Sequence, residues 1–211
     1  MSITDSQTKQ FIKTLETQAA TYQVELTTKA VQRLSKYYEL LNLWNSHLHL
    51  VAPSSPREFA ARHVLESLLL LQYLPDGARV ADVGSGAGLP IIPCLIVRQD
   101  IEAVLIEASK KKAVFLREAL SHTSASKQAT VIAERFESIA APDIGFVTCR
   151  ALERFQKMLP TLFKWAPANS TLLLFGGDGL GREIEKSGLA SSSVLAPNSK
   201  RRFLFVVVKG H

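Results

Sequence analysis

The sequence is poor in cysteine and has no long apolar run. Its 211 residues include two cysteines, Cys94 and Cys149, too few for a disulfide framework or a four-cysteine zinc ribbon. No apolar run approaches the ~20 residues that cross a bilayer, and the N-terminal residues are polar, unlike a secretory signal. Because 46% of the residues are hydrophobic, the chain can bury a core. We expect a soluble, cytoplasmic globular protein that contacts no membrane.

Residues for metal or covalent chemistry are also scarce. His47, His49 and His63 lack the spacing of a helical metal site, so no metal is expected. Cys149 could be a nucleophile or a small apolar residue at a strand end, and its neighbours favour the apolar role. Cys94 is predicted to lie in the core. Since no acid–base or nucleophile set stands out, no catalytic residue is assigned.

Positive charge is concentrated in two short clusters. The formal net charge is +6, yet residues 1–75 carry seven basic against six acidic side chains and are nearly neutral. From Ser199 to the last residue there is no acid. The members of the two clusters are Lys110, Lys111, Lys112, Lys200, Arg201 and Arg202. Such clusters are either solvated surface or contacts to the phosphates of RNA, and the sequence leaves both readings open.

Residues 1–75 are predicted to form a helical N-terminal cap. Apolar residues recur at spacings of three and four from Val31 to Trp44, and Thr27 or Thr28 could cap this helix.

A second helix of the cap is predicted to begin at Ser55, its N-cap, and to continue through the very apolar stretch 59–73. Within this helix Arg62 and Glu66 are four residues apart, a spacing at which they could pair.

Residues 76–211 alternate between short apolar runs and helical patterns. The predicted strands are Arg79–Val83, Glu102–Glu107, Thr130–Glu134, Gly145–Cys149, Thr171–Phe175 and Phe203–Val208. The predicted helices are Pro90–Val97, Lys110–Ser121, Leu152–Trp165 and Leu180–Lys186. This alternation indicates parallel strands joined by right-handed crossovers. We therefore predict an α/β fold with a mostly parallel, doubly wound, Rossmann-like sheet.

A glycine-rich turn follows the first predicted strand, in the sequence Asp82-Val83-Gly84-Ser85-Gly86-Ala87-Gly88-Leu89-Pro90. Glycines let the chain turn sharply and let a ligand approach the backbone. A dinucleotide fingerprint would need a glycine where Leu89 stands, so the spacing argues against a pyrophosphate ligand. Asp82 would suit a cationic ligand. Glu107 ends the next strand, 19 residues after Gly88, where an acid accepts hydrogen bonds from ribose hydroxyls.

The glycine turn resembles the first motif of class I methyltransferases that depend on S-adenosylmethionine (SAM), a cofactor with a sulfonium, an ammonium and no phosphate. The chain from about Leu34 to Lys209 further resembles the bacterial ribosomal RNA methyltransferase family called RsmG or GidB. The matching segments, besides the glycine turn, are Leu43-Trp44-Asn45, Arg62-His63-Val64-Leu65-Glu66-Ser67, Phe115-Leu116-Arg117, Arg135-Phe136-Glu137 and Cys149-Arg150-Ala151.

The resemblance implies that residues 76–211 form a SAM-binding methyltransferase domain. The candidates for binding the cofactor are Gly84, Ser85, Gly86, Gly88, Leu89, Glu107, Phe136, Glu137 and Arg150. Arg150 and His63 are also candidates for positioning the target nucleotide, although His63 could equally be a structural helix histidine. The chain departs from the family at Gly176, where a lysine is usual.

The reaction implied by the resemblance is SAM-dependent N7-methylation of one guanosine in 16S ribosomal RNA. The implied partner is that RNA or the small ribosomal subunit. Two alternatives stay open at this point: a SAM-dependent methyltransferase of a small molecule or protein, and a non-catalytic RNA-binding module that retains the SAM fold.

Overall fold

The computed structural model describes residues 4–150 and 155–210. The first helix, α1, spans Asp5–Gln18 and begins with a capping box, in which Thr4 and Gln7 each accept a backbone N–H of the other. Helix α2 spans Thr28–Leu48 and is capped by Thr27, whose hydroxyl accepts the N–H of Ala30 at 3.2 Å. The apolar stripe predicted for this helix is confirmed, since Val31, Leu34, Tyr38 and Leu41 are buried.

The third helical segment, residues 56–72, is irregular. It consists of one α-helical turn (α3, Pro56–Glu58), a π-helical stretch (Phe59–Leu65) and a 3₁₀ stretch (Leu68–Gln72). The predicted N-cap is confirmed, because the Ser55 hydroxyl accepts the N–H of Glu58 at 3.1 Å.

The prediction that Arg62 pairs with Glu66 is wrong. Arg62 pairs with Glu58, whereas Glu66 pairs with Arg150 and Arg202. The wider π-helical turn changes which side chains are neighbours on the helix surface, so an α-helical spacing rule fails here.

The described part of the sheet has seven strands in the order β3-β2-β1-β4-β5-β7-β6. They are β1 (Arg79–Val83), β2 (Glu102–Ile106), β3 (Ala129–Ile132), β4 (Phe146–Arg150), β5 (Thr171–Gly176), β6 (Ala190–Leu195) and β7 (Phe203–Val208). Strands β1 to β5 are parallel, and β7 runs antiparallel to both β5 and β6. All six predicted strands are present, and β6 was not predicted.

Four further helices flank the sheet: α4 (Ile91–Val97), α5 (Lys110–His122), α6 (Phe155–Trp165) and α7 (Asp178–Ser187). They confirm the predicted helices, except that the predicted start of α6 at Leu152 lies outside the described residues. The π–3₁₀ segment and helices α1, α2, α4 and α5 share one apolar cluster with one face of the sheet. Helices α6 and α7 cover the other face. The sheet is therefore doubly wound, as predicted.

The N-terminal helices are part of the same core as the sheet. One apolar cluster joins Phe11 and Leu34 to Val80 of β1 and Leu173 of β5. The boundary between a cap of residues 1–75 and a domain of residues 76–211 stays a prediction. Across the described ranges, no helix combines the length and the apolar character that a membrane span needs.

Candidate functional site

A pocket of about 680 Å³ opens at the carboxyl edge of the sheet. In the register of the parallel strands, Val83 of β1 lies beside Ile106 of β2, so the turns that follow both strands meet at this edge. Ligands of doubly wound sheets bind at this position. The predicted site residues that line the pocket are His63, Gly84, Ser85, Gly86, Leu89, Glu107, Lys112, Phe136, Glu137 and Arg150.

The glycine turn leaves its backbone open to the pocket. Gly84, Gly86 and Gly88 have φ of +70°, +51° and +81°, a region that strongly favours glycine. A Cβ added at Gly86 would meet nothing closer than 3.7 Å, so the main chain is open to a ligand.

Gly88 does not line the pocket. A Cβ at Gly88 would lie 2.8 Å from Cγ1 of Ile92 and 3.2 Å from Cδ2 of Leu116. This glycine allows the close packing of the turn against α4 and α5, and its contact with the cofactor stays a prediction.

Glu107 links the glycine turn to the start of α5. Its Oε2 accepts the N–H of Gly86 and its Oε1 accepts the N–H of Ser109, both at 2.8 Å. The side chain is buried, and these two bonds fix its orientation at the pocket wall. A carboxylate held in this way retains lone pairs that can accept the two hydroxyls of a ribose.

Asp82 lies on β1, directly behind the glycine turn. The residue is fully buried, and within the described chain neither carboxylate oxygen has a hydrogen-bond partner. Burial raises the pKa of Asp82 to about 8, because a desolvated carboxylate is costly. An acid in this environment is stabilised in its charged form by a nearby cation and destabilised by a phosphate.

We expect Asp82 to make stability fall as the pH rises. The folded state holds a proton that the unfolded chain releases above its ordinary pKa of 3.8, so stability is lost between there and about pH 8. Between pH 6.5 and 8 the unfolding free energy of the ligand-free protein should fall by about 1.5 kcal/mol. The unfolding free energy of Asp82→Asn, measured with urea, should not show this fall.

His63 gives the opposite trend at lower pH. Burial, together with Arg150 and Arg62, lowers the pKa of His63 from 6.5 to about 4, so its contribution to stability rises with pH and has mostly accumulated by pH 6.5. The small remainder is the same in the wild type and in Asp82→Asn. Parallel pH profiles for the wild type and Asp82→Asn above pH 6.5 would contradict the expectation.

The N-terminal helices supply contacts that sequence reasoning missed. The buried hydroxyl of Tyr37 on α2 donates to the carbonyl of Ala87 in the glycine turn at 2.7 Å. Asn45 bonds both backbone groups of Val51, at 2.9 and 3.0 Å. This clamp shapes the loop whose residues Leu50 and Val51 line the pocket. The segment Leu43-Trp44-Asn45, which matches the family, pointed to Asn45 in the sequence. No motif pointed to Tyr37.

Arg150 and His63 lie on another side of the pocket. Arg150 donates to the carbonyl of Arg62 at 2.6 Å and to the hydroxyl of Ser67 at 3.4 Å, and its guanidinium lies 5.4 Å from the ring centre of Phe175. Burial lowers the pKa of Arg150 from its ordinary value, although an arginine stays charged at neutral pH. His63 is neutral at pH 7 because of its lowered pKa.

The six basic candidates fall into different environments. Lys112 lines the pocket, and Lys110 and Lys111 are exposed beside it at the start of α5. In the second cluster Lys200 is exposed, whereas Arg201 lies 3.5 Å from Asp178 and Arg202 pairs with buried Glu66.

Two further sequence observations have a structural counterpart. At Gly176, a Cβ would lie 2.9 Å from Cβ of Leu180, so the close approach of α7 leaves no room for the lysine usual at this position.

The two cysteines, Cys94 and Cys149, are both buried. Among residues 4–150 and 155–210, no three or more histidine, cysteine or acidic side chains gather as they would around a metal ion.

The site suits SAM. Glu107 retains lone pairs that can accept the hydroxyls of a ribose, and Leu89 and Phe136 offer apolar surface. Leu89 stands where a dinucleotide fingerprint has its third glycine. The buried, unpartnered carboxylate of Asp82 is consistent with a cationic ligand.

Solved structures with the same fold include methyltransferases. The chain is similar to a SAM dependent methyltransferase from Aquifex aeolicus, with a TM-score of 0.57 and 19% identity over 72% of this chain and 92% of that one. It is also similar to an O-methyltransferase from Bacillus cereus, with a TM-score of 0.56 and 17% identity over 83% of this chain and 91% of that one. At this level of identity the likeness concerns the fold.

Relatives found by sequence are more nearly identical to this chain than these solved structures are. A protein from Halorhodospira halophila, named Ribosomal RNA small subunit methyltransferase G, is 32% identical over 82% of this chain and 81% of its own length. A protein of the same name from Xanthomonas axonopodis pv. citri is 42% identical, over 57% of this chain and 56% of its own length. The family model described as rRNA small subunit methyltransferase G, or GidB, matches residues 30–198. The chain therefore belongs to the rRNA small subunit methyltransferase G family.

Proposed function

We propose that this protein transfers a methyl group from SAM to N7 of one guanosine in 16S ribosomal RNA. The observation that carries the proposal is the glycine turn held by Glu107, in a chain that matches the GidB family over residues 30–198. Leu89, Phe136 and Glu137 line the same pocket and complete the proposed cofactor site.

The residues of the pocket suit a reaction that depends on positioning. SAM supplies an electrophilic methyl group on its sulfonium sulfur. Guanine N7 has an in-plane lone pair and no proton, so forming the N7–methyl bond and breaking the sulfur–methyl bond releases no proton and needs no general base. The protein has to align the target atom with the methyl group and keep water out, which makes orientation the main source of rate enhancement.

His63 and Arg150 are the proposed target-positioning residues. His63 is neutral at pH 7 because of its lowered pKa, so its ring has one nitrogen that donates and one that accepts. Arg150 presents a guanidinium whose remaining N–H groups can donate to guanine or to a phosphate. Both side chains line the pocket.

The RNA is proposed to bind across the start of α5. Lys110, Lys111 and Lys112 occupy its first turn, which contains no acid. The positive end of the helix dipole disfavours cations at this position, so three lysines here cost stability unless an anion is near. Lys200 and Arg201 remain secondary candidates, and Arg202 is the least available because of its pair with Glu66. Since the proposed substrate is ribosomal, we expect the protein to act in the cytoplasm.

We expect charge removal at α5 to weaken RNA binding and to make it less dependent on salt. Changing Lys110, Lys111 and Lys112 to glutamine should reduce the slope of log K against log salt by about one unit for each phosphate that these lysines neutralise. The matched control changes three exposed lysines that do not line the pocket, Lys13, Lys29 and Lys36. Equal slopes for the two triple variants would exclude α5 from the RNA interface.

The proposed function is tested by methyl transfer in vitro. Small ribosomal subunits from cells that lack the corresponding gene are incubated with the protein and methyl-labelled SAM. We expect label in 16S RNA, at one guanosine, and none in the 23S RNA of large subunits treated in parallel. Binding of SAM without transfer to 16S RNA, either free or in subunits, would overturn the proposal.

A further inference from the structure

Glu66 is a buried carboxylate shared by two arginines from distant parts of the chain. Its side chain is 2% exposed. Oε1 accepts a hydrogen bond from Nε of Arg202 at 2.8 Å, and Nη2 of Arg202 forms an ion pair with the same oxygen at 2.7 Å. Oε2 accepts from Nη2 of Arg150 at 3.4 Å. The 56–72 segment, the end of β4 and the start of β7 therefore meet at a single carboxylate.

Of these three residues, only Arg150 lines the pocket. Its other acceptors within the described chain are the carbonyl of Arg62 and the hydroxyl of Ser67, both neutral. Glu66 is the carboxylate paired with it. A buried guanidinium without an opposite charge is strongly unfavourable, so the direction of Arg150 depends on Glu66.

The charges in the cluster do not balance, since one carboxylate faces two guanidinium groups. The cluster therefore has one net positive charge, and the guanidinium that it presents to the pocket suits an RNA substrate. Without the carboxylate, Arg150 and Arg202 would repel each other at short range. Arg150 would then be driven out of its present position towards the solvent in the pocket.

We propose that Glu66 is a positioning residue, which orients the guanidinium of Arg150 in the pocket while Arg202 holds the carboxylate in place. Glu66 does not contact the pocket itself, so all of its effect on the reaction passes through Arg150. The proposal rests on the proposed function for its activity readout.

The test is a double-mutant cycle between Glu66→Gln and Arg150→Ala. The kcat/KM for 16S RNA in small subunits is measured under single-turnover conditions with methyl-labelled SAM. The SAM dissociation constant and the melting temperature are measured for every variant. We expect Glu66→Gln to lower kcat/KM at least tenfold in the wild type and less than twofold in the Arg150→Ala background. Glu66→Asp keeps the charge and should retain more activity than Glu66→Gln at an equal melting temperature.

Equal losses in both backgrounds would overturn the proposal, because Glu66 would then act independently of Arg150. If Glu66→Gln fails to fold, the comparison of Glu66→Asp in the two backgrounds decides in the same way. A wild-type protein that binds SAM and transfers no methyl group to 16S RNA would refute the proposed function instead. In that case the same double-mutant cycle is measured with the SAM dissociation constant. Equal effects of Glu66→Gln in the wild-type and Arg150→Ala backgrounds would then overturn the positioning role.

Discussion

Replacing Glu107 with alanine is expected to weaken SAM binding by about thirtyfold or more. The carboxylate holds the N–H groups of Gly86 and Ser109, both at 2.8 Å, and it is the proposed acceptor for the ribose hydroxyls. Hydrogen bonds to a charged group contribute about 1.5–3 kcal/mol each, and a loss of about 2 kcal/mol corresponds to roughly thirtyfold in affinity. Calorimetric titration with SAM measures the change.

Glu102→Ala is the matched control for this prediction. Glu102 begins the same strand that Glu107 follows, is exposed, and lies 3.9 Å from Arg79 at the opposite end of the sheet. Its removal should leave the SAM dissociation constant within twofold of the wild type. A Glu107→Ala variant that is folded and binds SAM normally would remove the main support for the proposed cofactor site.

Gly88→Ala is expected to lower the unfolding free energy by about 3 kcal/mol. A residue other than glycine at φ +81° costs ~1–2 kcal/mol. The new methyl group would also press on the buried side chains of Ile92 and Leu116, and overpacking of a core typically costs ~1–3 kcal/mol. Urea unfolding at constant m-value measures the loss.

Substitutions at two other glycines separate the cost of the backbone conformation from the cost of overpacking. Gly77 has φ +68° and nothing within 4 Å of an added Cβ, so Gly77→Ala should lose only the backbone part, about 1 kcal/mol. Gly86→Ala should be similar in stability, since its Cβ has room, but should weaken SAM binding because that Cβ occupies the open face of the turn. Equal stability losses at Gly77 and Gly88 would show that packing against α4 and α5 contributes nothing.

Strands with continuous buried apolar runs were the easiest elements to predict from the sequence. Strands β1 and β7 have the predicted bounds, because buried strands flanked by turn residues give unambiguous apolar runs. The glycine turn and Glu107 were found because their spacing follows from the geometry of a parallel sheet. Strand β6 was missed, since its residues Ala190–Leu195 are all exposed and include three serines, which leaves no alternating pattern to detect.

Contacts between distant segments could not be predicted in the same way. Sequence spacing assigned Glu66 to Arg62, but the π-helical stretch and a separation of 136 residues from Arg202 defeat any local rule. Tyr37 is not part of the predicted apolar stripe of α2, and its bond to Ala87 exists only because α2 packs against the glycine turn. Side chains whose partners are brought together by the tertiary fold leave no periodic signal in the sequence.

We expect this protein to methylate N7 of one guanosine in 16S ribosomal RNA. An N7-methylated guanosine loses its ring stability on borohydride reduction, and aniline then cuts the chain at that nucleotide. Ribosomes from cells with and without the gene are treated in parallel, and cleavage of 16S RNA is mapped along its length. We expect one cleavage site to disappear when the gene is deleted and to return when the wild-type gene, but not its Glu107→Ala form, is restored. An unchanged cleavage pattern at every guanosine would contradict the claim.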